Sequence, residues 1–300
     1  MKYSIVIYPS PGRGHLVSMI ELAKLILTHY PSFYITVIIP EAPFETGVTY
    51  GYVQSISATV PSITFHHLPT IPTTTSLLDI QTQTFELSLQ NNHNFHQALV
   101  LISKSSNIKA LLLDFFCNPS FKISAKLEIL TYYYKPGGPS GLTVFLYLPT
   151  IHKNTTKSLK ELGNEEINIP GMPVPLRAKD MPYPMQDRTW KVYDYFLETA
   201  IQMPRSAGII VNTVETLEKT ALNAILDGQC TPGEPAPPED DGLVSAEEFE
   251  KLVTKLIDSN DGKLIKERVM ALKEKVSVAL KEGGPSLVAL ANLIESILKH

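Results

Sequence analysis

The chain has 300 residues, 44% of them apolar and 19% charged, the make-up of one large or two modest globular domains. A formal net charge of −4 offers no basic face for nucleic acid or an anionic membrane, and the apolar runs are too short to span a bilayer. Cys117 and Cys230, far apart, make no metal motif and argue against a disulfide framework; with no secretory signal before the first strand, a cytoplasmic location is expected.

Tyr3–Tyr8 is an uncharged run rich in β-branched and aromatic residues, the pattern of a parallel strand buried on both faces. Pro9, Pro11, Gly12 and Gly14 break it. From Leu16 the apolar positions Leu16, Met19, Ile20, Ala23 and Leu27 recur at helical spacing. The stretch therefore predicts strand, glycine turn, helix. Ligands in open α/β sheets sit at such turns, beyond the carboxyl end of the strand. Further strands are predicted at Tyr34–Ile39, Ile63–Leu68, Ile108–Asp114, Thr131–Tyr134 and Ala207–Asn212. Between them fall predicted helices near 46–58, over 80–104 as one long helix, and at Ser120–Ile129, Leu142–Leu148, Trp190–Met203 and Glu215–Leu226. Phe85, Leu89, Phe95, Leu99 and Ile102 are the inward positions of the long helix. This alternation predicts an α/β fold, a doubly wound, parallel, Rossmann-like sheet. Pro69–Thr75 reads as a loop, and residues 149–189, proline-rich and without period, as a long surface excursion. A Rossmann-like domain is expected over 1–228, which the resemblance given below makes an acceptor-binding domain, and a proline-rich, acidic linker over 229–242. A carboxyl-terminal helical tail over 243–300 is expected to pack on the first domain. Its helices are predicted near 245–258, 261–281 and 286–298, the first opened by the capping box Ser245-Ala-Glu-Glu248, with no strand after 212.

His15 and Asp114 form the best candidate pair. In the doubly wound order, strands 1 and 4 are neighbours where the order reverses, so the turn after one and the end of the other meet in one crevice. A carboxylate on one imidazole nitrogen sets the tautomer and stabilises the imidazolium, leaving the other nitrogen to take a proton. The plain alternative is that His15 caps a helix and Asp114 ends a strand. Gly14, Phe85, Phe115, Phe116 and Tyr134 are candidate substrate-binding residues, with core packing an equal explanation for the aromatics. Gly12-x-Gly14 lacks the third glycine of a dinucleotide fingerprint, since Val17 holds its place, which disfavours a nicotinamide site. His66/His67 and His93/His96 read as solvated histidines, and no metal is expected.

Pro9-Ser-Pro-Gly-Arg-Gly-His15, Leu111-Leu-Leu-Asp-Phe-Phe116, Phe145-Leu-Tyr-Leu-Pro149, Ile169-Pro-Gly-Met-Pro173 and Gly208-Ile-Ile-Val-Asn-Thr213 together resemble the amino-terminal domain of plant family 1 UDP-glycosyltransferases. Glu267-Arg-Val-Met-Ala-Leu-Lys273 and Lys281-Glu-Gly-Gly-Pro-Ser286 resemble that family's carboxyl-terminal helices. The resemblance implies the two-domain glycosyltransferase B fold and inverting transfer of a hexose from a UDP-sugar to a flavonoid-like hydroxyl. It makes His15 the base and Asp114 its orienting partner. It implies no cofactor, only the UDP-sugar as co-substrate. The family's nucleotide-sugar box, opening Trp-Ala-Pro-Gln and containing His-Cys-Gly-Trp-Asn-Ser, is absent; the one tryptophan, Trp190, has no such context. The strands of the second Rossmann domain are missing where the linker stands. Lys135-Pro-Gly-Gly-Pro-Ser140 occupies a turn where relatives place small hydroxyl residues near the donor. The expectation is a truncated or engineered acceptor half that keeps the terminal helices and lacks the donor domain. It would be monomeric, would bind an aromatic small molecule and would be deficient in transfer. A non-catalytic binding module for aromatic aglycones is the alternative, with a nicotinamide dehydrogenase behind it.

Overall fold

The computed structural model describes residues 2–42, 48–71, 79–214, 217–231, 243–244, 279 and 283–299. Its strands, in chain order, are β1 (Lys2–Tyr8), β2 (Tyr34–Ile39), β3 (Ile63–His67), β4 (Ser106–Asp114), β5 (Thr131–Lys135), β6 (Glu166–Ile167), β7 (Leu176–Arg177), β8 (Gly208–Asn212) and β9 (Leu243–Val244). β6 and β7 make a small antiparallel pair; the others form one parallel sheet in the order β3-β2-β1-β4-β5-β8-β9. The opening run takes the interior place because it can be buried on both sides: Ile5, Val6, Ile7 and Tyr8 have no exposed surface.

The helices are α1 (Arg13–His29), α2 (Val48–Thr59), α3 (Ile80–Gln90), α4 (Asn92–Ser105), α5 (Phe121–Lys126), α6 (Pro139–Leu146), α7 (Leu148–Asn154), α8 (Leu159–Leu162), α9 (Lys191–Gln202), α10 (Lys219–Leu226) and α11 (Pro285–Lys299). Alternation along the strands divides the core in two. Ile5, Ile7, Leu112 and Tyr132 pack with Leu16 and Ile20 of α1, Val53 of α2 and Leu290, Leu293, Ile294 and Ile297 of α11. Val6, Tyr8, Leu113 and Tyr133 pack on the other face with Phe85, Phe95, Leu99, Phe145 and Phe196, from α3, α4, α6 and α9. α11 is tied to β5 by a 2.9 Å hydrogen bond between Ser296 and the Tyr132 hydroxyl.

Several elements differ from the sequence reading. α1 begins at Arg13 rather than Leu16, because Gly12 takes φ 110 and reverses the chain one turn earlier. The long helix over 80–104 divides at Asn91, whose side-chain amide donates to the Leu87 carbonyl at 3.1 Å and ends α3 locally. The break turns Leu89 outward, 46% exposed, although its spacing had placed it inward. Residues 149–189 are no loose excursion: Ile169, Met181 and Met185 are buried, and α8 opens with a capping box in which Glu161 accepts from the Ser158 N–H at 2.6 Å. α10 starts at Lys219, because the Glu218 carboxylate turns back to accept the Ser140 N–H at 3.0 Å, at the start of α6. A strand does follow residue 212: β9 pairs Leu243 and Val244 with Val211 and Asn212. Most of the predicted linker, the Ser245 capping box and the first two tail helices lie outside the described residues. Among the described residues, no helix is long and apolar enough to cross a membrane.

Candidate functional site

β1 and β4 are neighbours, so their carboxyl ends lie side by side where the strand order reverses. Gly12 bends the chain from β1 into α1, which carries His15 in its first turn. Asp114 closes β4 and opens a 3-10 turn, Phe115–Ser120, by accepting the Phe116 N–H on Oδ1 at 3.0 Å. That hydrogen bond fixes the carboxylate so that Oδ2 lies 2.6 Å from His15 Nδ1. The Asp114 side chain is wholly buried and the His15 side chain is 27% exposed. An ionised carboxylate only accepts, so Nδ1 carries the proton of the neutral ring and Nε2 carries the lone pair. Burial works against a charge on His15; the charge and hydrogen bond of Asp114 outweigh it, with Lys135 opposing, and the pKa ends above its ordinary value.

The aromatic candidates gather beside this pair. The Phe116 ring lies 5.5 Å from the His15 ring and 4.1 Å from Phe115, and Phe115 lies 5.9 Å from His15. Phe85 meets Phe116 edge-on at 5.2 Å and stacks on Tyr195 at 4.8 Å. Tyr134 does not join them. It is level with Asp114 across the β4–β5 pair and packs in the layer of α1 and α11, opposite Tyr133. Gly14 has open space where a Cβ would stand and no positive φ, so nothing packs closely on it.

Three contributors were not among the sequence candidates. Phe145 and Phe196 complete the aromatic group, at 5.8 and 6.2 Å from Phe115; the inward faces of their predicted helices were the available signal. Lys135, in the turn noted for its unusual composition, places Nζ 4.8 Å from the Phe115 ring centre. The solvated histidines stay apart from the site: His67 faces Glu41 at 2.6 Å and His93 faces Gln97 at 2.9 Å. Among the described residues no group of three or more His, Cys, Asp or Glu could hold a metal ion. A cavity of about 610 Å³, lined by Asn107, Leu130, Arg205 and Ala207 among others, opens at the opposite, amino-terminal edge of the sheet.

The fold is a Rossmann-like α/β domain with a His–Asp pair at the switch point of its sheet. UDP-glycosyltransferase 88B1 of Stevia rebaudiana is 42% identical over 238 residues, 78% of this chain and 50% of that protein. Anthocyanidin 5,3-O-glucosyltransferase of a Rosa hybrid cultivar is 41% identical over 246 residues, 78% of this chain and 51% of that protein. Among solved structures, a UDP-glucosyltransferase from Polygonum tinctorium capable of glucosylating indoxyl, in complex with 3,4-dichloroaniline, superposes with a TM-score of 0.70 at 26% identity, over 85% of this chain and 56% of that one. No protein-family profile matches the chain. Over the part it spans, the chain is similar to plant family 1 UDP-glycosyltransferases and shares the fold of the corresponding part of their glycosyltransferase B structures. It spans about half the length of the curated relatives it matches.

Proposed function

We propose that the chain is the acceptor-binding half of a UDP-glycosyltransferase. Its parent reaction is inverting transfer of a hexose from a UDP-sugar to a hydroxyl of a flavonoid-like molecule. The observation that carries this reading is the 2.6 Å contact between His15 Nδ1 and Asp114, with Nε2 left to face an acceptor. In that reaction Nε2 takes the proton of the acceptor hydroxyl, while Asp114 holds Nδ1–H and balances the imidazolium. The acceptor oxygen bonds to the anomeric carbon as the bond from that carbon to the diphosphate breaks, and UDP leaves with the electron pair. A phenol of pKa about 10 is little ionised at neutral pH, so a base whose proton affinity Asp114 raises assists as the bond forms. Phe116, half-buried beside His15, supplies the apolar face that a planar aromatic acceptor needs, and the buried Phe85 and Phe115 rings back it from the core. Gly14 is exposed beside His15 in the first turn of α1, and Tyr134, level with Asp114, is buried in the same α1 layer.

The reading includes deficient transfer. The sequence holds no nucleotide-sugar box, and segments similar to the family's carboxyl-terminal helices follow soon after the linker, the arrangement of a truncated or engineered enzyme that lacks the donor domain. Calorimetry of the full chain with quercetin and UDP-glucose in parallel tests both parts. Quercetin is expected to bind in the micromolar-to-millimolar range, and UDP-glucose only at millimolar concentration or not at all. A micromolar dissociation constant for UDP-glucose overturns the missing-donor part; no binding of quercetin or of related flavonoids overturns the acceptor part.

A further inference from the structure

Lys135 is the last residue of β5, one past the tyrosine level with Asp114, and it pairs with Val211 of β8. Strand alternation puts it on the Tyr133 side of the sheet, toward the aromatic group. Its ammonium sits 4.8 Å from the centre of the Phe115 ring. The turn that follows leaves room for it: a Cβ on Gly137 would come within 3.4 Å of Nζ. Among the described residues no carboxylate forms an ion pair with this ammonium. Burial lowers the Lys135 pKa and Asp114 partly restores it, so the group lies close enough to the pair to feel its charge. His15 in turn is pulled down by Lys135.

Lys135 and His15 both stand at Phe115, whose ring centre is 4.8 Å from one nitrogen and 5.9 Å from the other ring. Phe115 itself is buried, but the half-buried Phe116 ring lies 4.1 Å from it and 5.5 Å from His15, so a ligand ring set on Phe116 presents one substituent toward His15 and another toward Lys135. The charges favour one kind of substituent. Asp114 is already engaged by His15 Nδ1 and by the Phe116 N–H, so among the described residues the Lys135 ammonium has no carboxylate of its own in partly dehydrated surroundings, and an anion on the ligand supplies one. We propose that Lys135 sets the acceptor class: the crevice takes planar phenolic acids, with the carboxylate on the Lys135 ammonium and the phenolic hydroxyl on His15 Nε2. The proposal rests on the acceptor-half reading and adds a specificity determinant to it.

The test is binding of 4-hydroxybenzoate and its neutral isostere 4-hydroxybenzamide to the full chain at pH 7.5, followed by NMR. Wild type is expected to prefer the acid about tenfold. In Lys135→Met the two probes should bind alike, and Lys135→Arg should keep the preference. Lys135→Gln repeats the comparison with a polar chain in case the methionine variant folds poorly. The imidazole titration gives a ligand-free readout: losing the ammonium should raise the His15 pKa further in both neutral variants. An unchanged His15 pKa, or a preference for the acid that survives Lys135→Met and Lys135→Gln, overturns the proposal. If the probes bind wild type equally and both weaken in His15→Ala, the acceptor crevice stands and Lys135 is not its determinant. If neither probe nor any flavonoid binds, the crevice reading fails and this proposal with it.

Discussion

His15 and His152 each meet a charged neighbour, and the neighbours have opposite signs. His15 faces the Asp114 carboxylate at 2.6 Å, and its pKa rises. His152 faces the Arg188 guanidinium, which approaches Nδ1 at 2.8 Å, and the Tyr193 hydroxyl lies 2.9 Å from the same nitrogen. Burial lowers the His152 pKa, Arg188 lowers it again, and Asp194 offsets only part. A guanidinium only donates, so His152 serves as an acceptor and stays neutral. Arg188 also donates to the carbonyls of Thr155 and His152, fastening the start of the 155–190 segment to the end of α7. One imidazole is set to gain a proton and the other to refuse one. The residue type is common to both; the partner, 99 residues away for His15 and 36 for His152, decides the chemistry.

Removing each partner should separate the two sites most strongly. Asp114→Ala leaves the Phe116 N–H without its acceptor and His15 without its neighbour, at a cost of roughly 2–4 kcal/mol of unfolding free energy. Arg188→Ala removes hydrogen bonds from a partly exposed site and should cost about 1–2 kcal/mol. Urea unfolding of the two variants measures both. A larger loss for Arg188→Ala than for Asp114→Ala would make the segment, not the crevice, the more tightly organised polar site.

Titration sharpens the contrast without disrupting packing. Asp114→Asn keeps the shape of the cap and removes the charge, so the His15 pKa should fall. Arg188→Met should raise that of His152. NMR of the eight histidines follows both. If no histidine shifts in Asp114→Asn, the two residues do not act on each other and the dyad fails.

Stability should depend on pH with opposite signs at the two sites, and more weakly, because both rings are partly exposed. A raised His15 pKa means that the folded state binds the proton more tightly than the unfolded chain. Its contribution is full below about pH 6.5 and fades as pH rises through the folded value. A lowered His152 pKa gives a contribution present above about pH 6.5 and lost as pH falls through the folded value. His15→Ala should flatten the loss on the alkaline side of the melting profile, and His152→Ala the loss on the acid side. The same slope in both variants would remove the distinction between them.

The two sites also differ in how far they could be read from sequence. The first five strands of the sheet are short uncharged or alternating runs, and their order puts the turn after β1 beside the end of β4, so His15 and Asp114 could be paired without coordinates. The face on which Tyr134 points follows from its neighbour Tyr133 once the strand's register is known, but three consecutive tyrosines give no such phase. The segment around His152 had no legible period because polar side chains hold it. Asp187 accepts from the backbone N–H and hydroxyl of Thr189 at 3.0 and 2.8 Å and pairs with Lys160. These bonds, Lys160 first among them, hold the Asp187 pKa down to about 2. Such links can join residues at any spacing. Asn91 likewise breaks a helix through a side-chain bond that apolar periodicity does not register. β9 escaped notice because two residues cannot show a pattern.

The smallest expected effect tests whether the contrast extends to a ligand. His15 lies at the crevice with Nε2 unclaimed by any described hydrogen bond, its ring against Phe115 and Phe116. A bound phenol should donate to that nitrogen, so His15→Ala should cost one hydrogen bond, about 0.5–1.5 kcal/mol of binding, or up to roughly tenfold in dissociation constant. His152 packs against Tyr193 at 5.8 Å between ring centres and is engaged by Arg188, a structural contact outside the aromatic group around Phe115. His152→Ala should therefore leave quercetin affinity within about twofold of wild type, a change of less than half a kcal/mol. The affinity itself should be modest, since a ligand covered on one side keeps much of its surface in water and must still offset the entropy lost on association. The control matters because either alanine could loosen the domain and weaken binding indirectly. Equal losses in the two variants would point to that indirect route and deny His15 a direct contact. A loss confined to His15→Ala, with both variants melting at similar temperatures, would place the phenol on Nε2.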